Sequence, residues 1–382
     1  MKVLLIARTI AFGGGAEKLV FETYTLLKEK LGAENVMLVV FQPCSMFSYE
    51  NVDYYEKILS DDPHFVICDD VVIQLSLLKK NTISNDRLDK IVHTFQPTVI
   101  HSHLFIAELY SRTINYPSAK WVTHFHDNMP QFLSFNLKTM FKKRLISNFY
   151  EKLVLNRLYK KNKGTVFLAV SSNTYDFVEK HTIKYPVILL ENAINLSKFT
   201  TSTPANIENI NIINIGSFSK KKNQIFFIEI AKELLKNTSN FKITLLGDGP
   251  LRKEVEDAIV SSNLQDFIEV IGIVPNVANY LKKSNIYVHT ATYEPMGLVL
   301  VEAMASSLPI VTLNGQGNSH MIENGKNGFM IEEQNPSLFA SSILDVFSSR
   351  EIYEGLSKTA FSYSRKYDIH TYIDKLLAIY AE

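Results

Sequence analysis

The chain has 382 residues, of which 46% are hydrophobic and 21% are charged, and its formal net charge is +1. This length predicts two domains, each large enough for a hydrophobic core of its own. Because the net charge is so small, no global field favours nucleic acid, and no nucleic-acid partner is expected. The two cysteines, Cys44 and Cys68, form no metal-binding or redox spacing, which is typical of a reducing compartment.

The N-terminal apolar run is too short for a signal peptide, and no run of about 18 apolar residues occurs anywhere. We therefore expect a cytoplasmic chain that does not span a membrane. The segment 138–163 is rich in Lys and Arg, with Glu151 as its single acid, and apolar residues are interleaved with the cations. Peripheral contact with the inner leaflet of a membrane explains this pattern, and a surface helix of the first domain explains it as well.

Strand-like apolar runs alternate with helical patterns along almost the whole chain, which favours an α/β fold with parallel sheets. The polar segment 200–206 interrupts this alternation and is predicted to be a linker. Apolar residues recur with helical periodicity from Ile369 to Tyr380, which predicts a C-terminal amphipathic helix. Strands are predicted, in chain order, at Val3–Ala7, Val36–Phe41, Thr98–His101, Trp121–His124, Val166–Val170, Val187–Leu190, Ile210–Ile215, Ile243–Leu246, Ile268–Ile271, Ile286–His289 and Ile310–Thr312.

Two glutamates eight positions apart, Glu294 and Glu302, stand between the last two of these strands. The pattern is strand, loop, short helix, strand, with Glu294 in the loop and Glu302 in the helix. Ligands of parallel sheets bind at the carboxyl ends of the strands, where helix N-termini also point. With a rise of about 1.5 Å per helical residue, the two carboxylates lie on the order of 10 Å apart. One extended ligand can therefore contact both.

Two other loops that follow predicted strands carry features suited to phosphate. Gly13–Gly15 lets backbone amides approach a ligand closely, although a plain turn explains it equally well. The loop Gly216–Asn223 contains Lys220, Lys221 and Lys222, which suit a diphosphate, and a solvated lysine run is the alternative.

Histidines end two other strands. His124 and His126 are candidates for a hydrogen bond to a sugar hydroxyl or for proton transfer, or else for buried structural donors. We interpret His101 and His103 as structural. The spacing of these histidines matches no zinc signature, so no metal site is expected.

Taken together, these motifs resemble the retaining glycosyltransferases of family 4, also called group 1, which have the GT-B fold. The most specific motif is E-x7-E, matched by Glu294 and Glu302, and the resemblance covers almost the whole chain. The supporting motifs are Gly14-Gly15-Ala16-Glu17, His126-Asp127, Asn192–Asn195, Gly216 with Lys222-Asn223, Gly247–Leu251, Gly272-Ile273-Val274 and Asn327-Gly328-Phe329.

This resemblance implies two Rossmann-like parallel-sheet domains facing a central cleft. An acceptor-binding domain is expected at 1–199 and a nucleotide-sugar-binding domain at 207–365, joined by the linker 200–206. The C-terminal helix, 366–382, is expected to pack back on the first domain.

The resemblance also assigns roles to individual residues. Glu294 is implied to bind the hydroxyls of the donor sugar, and Glu302 is implied to bind the ribose. Lys222 is implied to neutralise the diphosphate, and His126 to contact the sugar near the reacting carbon. The other donor-binding residues implied are Gly14 and Gly15 beside the diphosphate, Gly216 and Ser217, Gly272 and Val274 near the nucleobase, and Met296, Gly297 and Leu298, whose amides cap the phosphate.

Three positions depart from the pattern of the family. Ser217 stands where the family usually has an arginine, so Lys222 is expected to be the main diphosphate cation. His320 replaces a common glutamate, which leaves donor contacts in that loop open. Ser307 replaces a usual glycine, and we interpret this change as structural.

The expected activity is transfer of a hexosyl group, with retention and without a metal, from a nucleoside diphosphate sugar to a glycan or lipid-linked acceptor. The expected setting is cell-surface polysaccharide assembly, with Glu294, His126 and Lys222 as catalytic residues and no cofactor besides the donor. An NAD-dependent oxidoreductase is a rival, but Lys18 occupies the third glycine position of its G-x-G-x-x-G fingerprint. A non-catalytic nucleotide-sugar or glycan-binding module is another rival, against which the two glutamates argue.

Overall fold

The computed structural model describes residues 1–44, 52–70, 72–75, 82–132, 143–160, 164–182, 185–199 and 207–382. These residues form two compact units. Unit 1 comprises the described residues of 1–191 together with His370–Glu382, and unit 2 comprises the described residues of Asn192–Ile369. The predicted linker, 200–206, lies outside the described residues, so the boundaries proposed around it stay predictions.

Unit 1 is built around a parallel sheet. Its strands are β1 (Val3–Ala7), β2 (Val36–Val40), β3 (Phe65–Ile67), β4 (Val72–Gln74), β5 (Thr82–Ser84), β6 (Val99–His103), β7 (Lys120–Phe125), β8 (Thr165–Ala169) and β9 (Val187–Leu189). Seven of them form the sheet in the order β3-β2-β1-β6-β7-β8-β9, and β4 and β5 form a separate antiparallel pair.

Helices follow most strands of this sheet. They are α1 (Gly15–Leu31), α2 (Tyr54–Leu59), α3 (Asp86–Phe95), α4 (Leu104–Ser111), α5 (Lys143–Tyr159) and α6 (Ser172–His181). β1 is buried along its whole length, as a central parallel strand covered on both faces should be. Gly13, with φ of 101°, makes the turn from β1 into α1 in a conformation that favours glycine.

Unit 2 is built around a second parallel sheet. Its strands are β10 (Ile210–Ile215), β11 (Phe241–Leu246), β12 (Ile268–Gly272), β13 (Ile286–His289), β14 (Ile310–Leu313) and β15 (Gly328–Ile331), in the order β12-β11-β10-β13-β14-β15. Its helices are α7 (Phe227–Leu235), α8 (Arg252–Ser261), α9 (Val277–Leu281), α10 (Leu298–Ala305), α11 (Pro336–Val346) and α12 (Arg350–Ser364).

Alternate residues of the central strands of unit 2 enter two apolar clusters, one on each face of the sheet. Ile212 and Val288 belong to one cluster, and Ile213 and Tyr287 belong to the other. The strand order reverses between β10 and β13, because the chain moves outward through β11 and β12 before it returns. Ligands of open α/β sheets bind at such a reversal, beyond the carboxyl ends of the strands.

The last helix, α13 (Ile369–Ala381), packs on unit 1. The hydroxyl of Tyr380 lies 2.6 Å from Nδ1 of His101. The Lys120 ammonium donates to the carbonyl of Ile379, and Lys30 pairs with Asp374.

Two observations bear on membranes. Within the described ranges, every helix falls short of the length and apolar character that a bilayer crossing requires. Of the basic segment 138–163, residues 138–142 and 161–163 lie outside the described residues, and the remainder lies mainly in α5. Phe149 and Leu153 of α5 are exposed.

Candidate functional site

Three loops of unit 2 meet at the carboxyl ends of β10, β13 and β14. The amide of Thr292, after β13, donates to the carbonyl of Lys221, after β10, at 2.8 Å. The amide of Glu294 donates to the carbonyl of Gly315, after β14, at 2.9 Å. Backbone hydrogen bonds thus hold the three loops together at the point where the strand order reverses.

The loop after β14 approaches Glu294 so closely that it needs glycine. A Cβ atom on Gly317 would lie 1.9 Å from the carbonyl oxygen of Pro295, and one on Gly315 would lie 2.9 Å from Cβ of Glu294. Asn318 holds this loop, because its Oδ1 accepts from the amide of Gly315 at 2.8 Å. The backbone around Glu294 is therefore fixed from both sides.

Glu294 bonds to two side chains, and we call Glu294, Lys222 and His289 the Glu294 cluster. The Lys222 ammonium forms an ion pair with Oε2 of Glu294, and Nε2 of His289 lies 3.0 Å from the same oxygen. Nδ1 of His289 lies 3.3 Å from the hydroxyl of Tyr287. The side chains of Lys222 and Glu294 are only 17% and 7% exposed. This is a largely buried carboxylate with two side-chain partners on its Oε2.

The partners of Glu294 decide its charge. Burial raises the pKa of the Glu294 carboxyl, but the charge of Lys222 and the hydrogen bonds from His289 and Lys222 outweigh it. The pKa of Glu294 is therefore held well below its ordinary value. Burial lowers the pKa of His289 by more than its hydrogen bond to Glu294 raises it. At neutral pH the cluster consists of a carboxylate, an ammonium and a neutral imidazole that donates through Nε2.

The N-terminus of α10 lies beside this cluster. Gly297 precedes the helix with φ of 92°, a left-handed conformation that favours glycine. A Cβ atom at Gly297 would lie 3.0 Å from Cγ of Glu294. Met296 and Leu298 flank it and are buried, and Glu302 is buried one turn further along the helix. Because a helix N-terminus favours an anion, the site combines a phosphate-binding element with the ionised carboxylate.

The loop after β10 supplies one partly buried cation. Lys220 and Lys221 are exposed, whereas Lys222 turns inward to Glu294. Gly216 lies close to Lys222, since a Cβ atom placed on it would be 3.7 Å from Cδ of Lys222. Ser217, which replaces the usual arginine, is exposed. Lys222 is therefore the cation that this loop brings to the site.

Gly272 is the last residue of β12, two strands away from β10, and Val274 follows it at the same edge of the sheet. Gly272 has a φ of 96°, and a Cβ atom placed on it would lie 3.3 Å from Nη1 of Arg252. Nε of Arg252 donates to Glu256 at 2.8 Å, and Asp248 accepts from Nη1 at 3.3 Å.

The remaining candidates belong to unit 1. Gly14 and Gly15 begin α1, and a Cβ atom on Gly14 would lie 2.0 Å from a carboxylate oxygen of Glu17. His126 follows β7, and its Nε2 lies 2.9 Å from Nδ1 of His103. Burial lowers the pKa of His126 to about 3, so this imidazole is neutral at physiological pH.

The sequence did not single out His289, although it holds Oε2 of Glu294. Its place in an apolar strand gave no functional signal. The glycines at 315 and 317 were missed as well, yet the pattern Gly-Gln-Gly-Asn after a strand is a sign of close backbone approach.

The sequence of unit 2 matches a known family. Residues 199–363 match the model of the family Glycosyl transferases group 1. An uncharacterised glycosyltransferase of Methanocaldococcus jannaschii is 23% identical over 344 residues, which are 88% of this chain and 88% of that protein. Residues 199–363 of this chain therefore resemble the group 1 glycosyltransferases.

Other known proteins are similar to this chain as well. The poly(ribitol-phosphate) alpha-N-acetylglucosaminyltransferase of Staphylococcus aureus is 26% identical over 196 residues, 50% of this chain and 40% of that protein. Among solved structures, HepE of Anabaena, in complex with UDP and glucose, covers 100% of both chains with a TM-score of 0.77 at 18% identity. The predicted fold class, GT-B with two Rossmann-like parallel-sheet domains, is confirmed. Neither an NAD-dependent oxidoreductase nor a non-catalytic module is favoured.

Proposed function

We propose that this glycosyltransferase moves a hexosyl group from a nucleoside diphosphate sugar to a glycan or lipid-linked acceptor, and that the Glu294 cluster with the N-terminus of α10 is the donor site. The observation that carries the proposal is an ionised, buried carboxylate beside a partly buried ammonium and a helix N-terminus. The ammonium and the helix suit a diphosphate, and the carboxylate suits the hydroxyls of a sugar.

The ion pair gives the site a way to exchange partners. The Lys222 ammonium bonds to Glu294. A bound diphosphate competes for the same ammonium, so Lys222 moves from carboxylate to phosphate and Glu294 becomes available to the sugar. His289 keeps its bond to Oε2 and holds the carboxylate in place during the exchange.

Catalysis arises where the site stabilises the negative charge of the departing diphosphate. As the bond from the anomeric carbon to the diphosphate breaks, negative charge accumulates on the phosphate oxygens. Lys222 and the amides at the start of α10 act most strongly on that charge, so they stabilise the transition state more than the ground state. In this scheme no metal and no cofactor besides the donor is needed for charge neutralisation.

Retention and the remaining contacts follow from the family resemblance. In front-face attack the acceptor oxygen bonds to the anomeric carbon on the face that the phosphate leaves, and a phosphate oxygen takes the proton of the acceptor. Glu302 would bind the ribose, and Gly272 and Val274 would lie near the nucleobase. His126 with Gly14 and Gly15 would contribute from unit 1.

The relatives indicate which substrates to try first. HepE is described with UDP and glucose, so a UDP-hexose is the first donor. The relative from S. aureus is named for poly(ribitol-phosphate), which favours a cell-surface polymer as the acceptor. Exposed Phe149 and Leu153 on the basic helix α5 support peripheral contact with an anionic membrane.

A thermal-shift panel tests the donor proposal. UDP-, GDP- and ADP-hexoses are compared with NAD at equal concentration, because a ligand that binds the native state raises the melting temperature by mass action. We expect one nucleotide class to stabilise the protein and to release its nucleoside diphosphate on incubation with a glycan or lipid-linked acceptor. Stabilisation by NAD alone, or by no nucleotide sugar, would overturn the proposal.

A further inference from the structure

Four histidines form a buried cluster on one face of the sheet of unit 1, and we call His101, His103, His124 and His126 the histidine cluster. Successive side chains of a strand point to opposite faces, so His101 and His103 of β6 share a face, as do His124 and His126. The register pairs His103 with His124. Ring centroids lie 4.2 Å apart for His101 and His103, and 5.3 Å apart for His103 and His124.

The hydrogen bonds of the cluster select particular ring nitrogens. Nδ1 of His101 lies 2.6 Å from the hydroxyl of Tyr380, and Nδ1 of His103 lies 2.9 Å from Nε2 of His126. Among the residues that the structure describes, Nε2 of His101, Nε2 of His103 and both ring nitrogens of His124 have no hydrogen-bond partner. Buried polar atoms without partners are rare and destabilising, so this concentration of them calls for a ligand.

We propose that His101, His103 and His124 bind one first-row transition metal ion of the zinc class. One ring nitrogen from each of the three lies within 4.8 Å of those from the other two. Zinc binds imidazole nitrogen at about 2.0–2.1 Å, so tetrahedral ligands lie roughly 3.4 Å apart. Binding an ion therefore requires the three rings to turn so that these nitrogens converge. A fourth position remains for water or an anion.

The pattern of engaged and free nitrogens matches that of metal-binding histidines. Such a histidine binds the ion through one nitrogen and gives the N–H of the other to a nearby acceptor, which fixes its tautomer. Tyr380 and His126 occupy Nδ1 of His101 and His103, and the Nε2 atoms remain for the ion. A cluster that needed only internal hydrogen bonds has no reason to leave both Nε2 atoms free.

The proposal has a consequence for His126. If Nε2 of His103 binds the ion, Nδ1 of His103 carries the proton and donates it to Nε2 of His126 in their hydrogen bond. His126 then carries its own proton on Nδ1 and presents a donor there. The site consists of residues of unit 1 and does not rest on the nature of the donor. It differs from the sequence-based expectation of no metal, because two His-x-His pairs on neighbouring strands form no linear zinc signature.

Spectroscopy on the full chain tests the site. Chelator-treated protein is titrated with CoCl₂, and we expect one ion per chain to saturate an intense visible absorption of low-coordinate cobalt, which ZnCl₂ then abolishes. Weak absorption that does not saturate would show adventitious surface binding, and the absence of any cobalt absorption would show that no ion binds. Either result would overturn the proposal. This wild-type readout is independent of glycosyl transfer and of whether any variant folds.

Variants identify the ligands. His101→Gln and His124→Gln should each weaken cobalt binding by about tenfold or more, with a changed spectrum. His93→Gln on α3 removes an exposed histidine of the same unit and should leave both the affinity and the spectrum unchanged. Wild-type cobalt binding by folded His101→Gln and His124→Gln proteins would contradict the assignment.

Discussion

The Glu294 cluster and the histidine cluster both lie at or near the carboxyl ends of neighbouring parallel strands of their own units. Both are buried, yet they differ in charge. Glu294 remains an ionised carboxylate, whereas the histidines are neutral because burial, together with neighbouring imidazoles, lowers the pKa of His101, His103 and His124 far below the ordinary value.

The two clusters differ in charge because their buried groups have different partners. Burial disfavours charge in both clusters. Lys222 and His289 offset it at Glu294, whereas the rings that face the histidines offer no opposite charge. The Glu294 cluster of unit 2 thus offers charged groups to a charged ligand, whereas the histidine cluster of unit 1 offers uncharged nitrogen atoms.

The largest expected effect comes from Glu294→Gln, which removes the charge and keeps the shape. If the carboxylate acts on the donor sugar, turnover should fall by about 10²-fold or more, as for other groups that act electrostatically on a transition state. Steady-state release of nucleoside diphosphate in the presence of acceptor measures it. Glu333→Gln, at an exposed position, is the control, and near wild-type turnover of Glu294→Gln would remove Glu294 from the mechanism.

Lys222→Met should produce the next largest effect. A hydrogen bond to a charged group contributes about 1.5–3 kcal/mol, so nucleoside diphosphate should bind roughly 10- to 100-fold more weakly. Lys221→Met is the matched control, because its side chain lies one position away and is exposed. Calorimetry measures the affinity of each variant for nucleoside diphosphate. An equal loss of affinity in both variants would show that the lysine run acts only through its overall charge.

His289→Phe should shift the pH dependence of turnover. The pKa of Glu294 is held low, so the carboxylate stays ionised from neutral pH down to well below the ordinary carboxyl range. Removing one of its hydrogen bonds raises that pKa, and the acid limb of kcat/KM should move up by about one pH unit. His289→Gln, which keeps an N–H donor, should move it less. An unchanged acid limb in His289→Phe would show that Lys222 alone holds the charge.

The smallest effect is expected at Ser307, a departure from the family that the sequence marked as structural. Its φ of 61° is left-handed, and its carbonyl accepts from the hydroxyl of Ser357 at 2.6 Å. A left-handed non-glycine residue costs about 1–2 kcal/mol, partly offset by the greater freedom of glycine in the unfolded chain. Ser307→Gly should therefore raise the free energy of unfolding by up to ~1 kcal/mol in denaturant titrations and leave turnover unchanged. A decrease in stability would contradict this interpretation.

Much of the fold could be read from the sequence because the central strands are continuous apolar runs. The bounds of β1, β10 and β13 coincide with the predicted strands. The short edge strands β3 and β15 were missed. Three or four residues carry no usable periodicity, and β15 begins at a glycine, which the sequence marks as a turn rather than as a strand.

The sequence predicted the site residues that belong to a motif, and it missed the residues that only the pairing of strands in the sheet brings together. Glu294, Lys222 and Gly297 were candidates from their loops, and the structure brings them together. His289 was missed because a histidine within an apolar strand is usually structural. The histidine cluster was missed as a unit because the neighbouring strands and their register are properties of the sheet, which a linear spacing rule does not see.

The most direct measurement is calorimetric binding of both UDP and a UDP-hexose, or of the matching pair if another base is preferred, to wild-type and Glu294→Gln proteins. Glu294 forms an ion pair with Lys222, so the variant frees that ammonium for the diphosphate. We expect Glu294→Gln to bind the nucleoside diphosphate at least as tightly as wild type and to lose the additional affinity that the sugar provides. Weaker binding of the diphosphate itself, with the contribution of the sugar intact, would contradict the division of roles between Lys222 and Glu294.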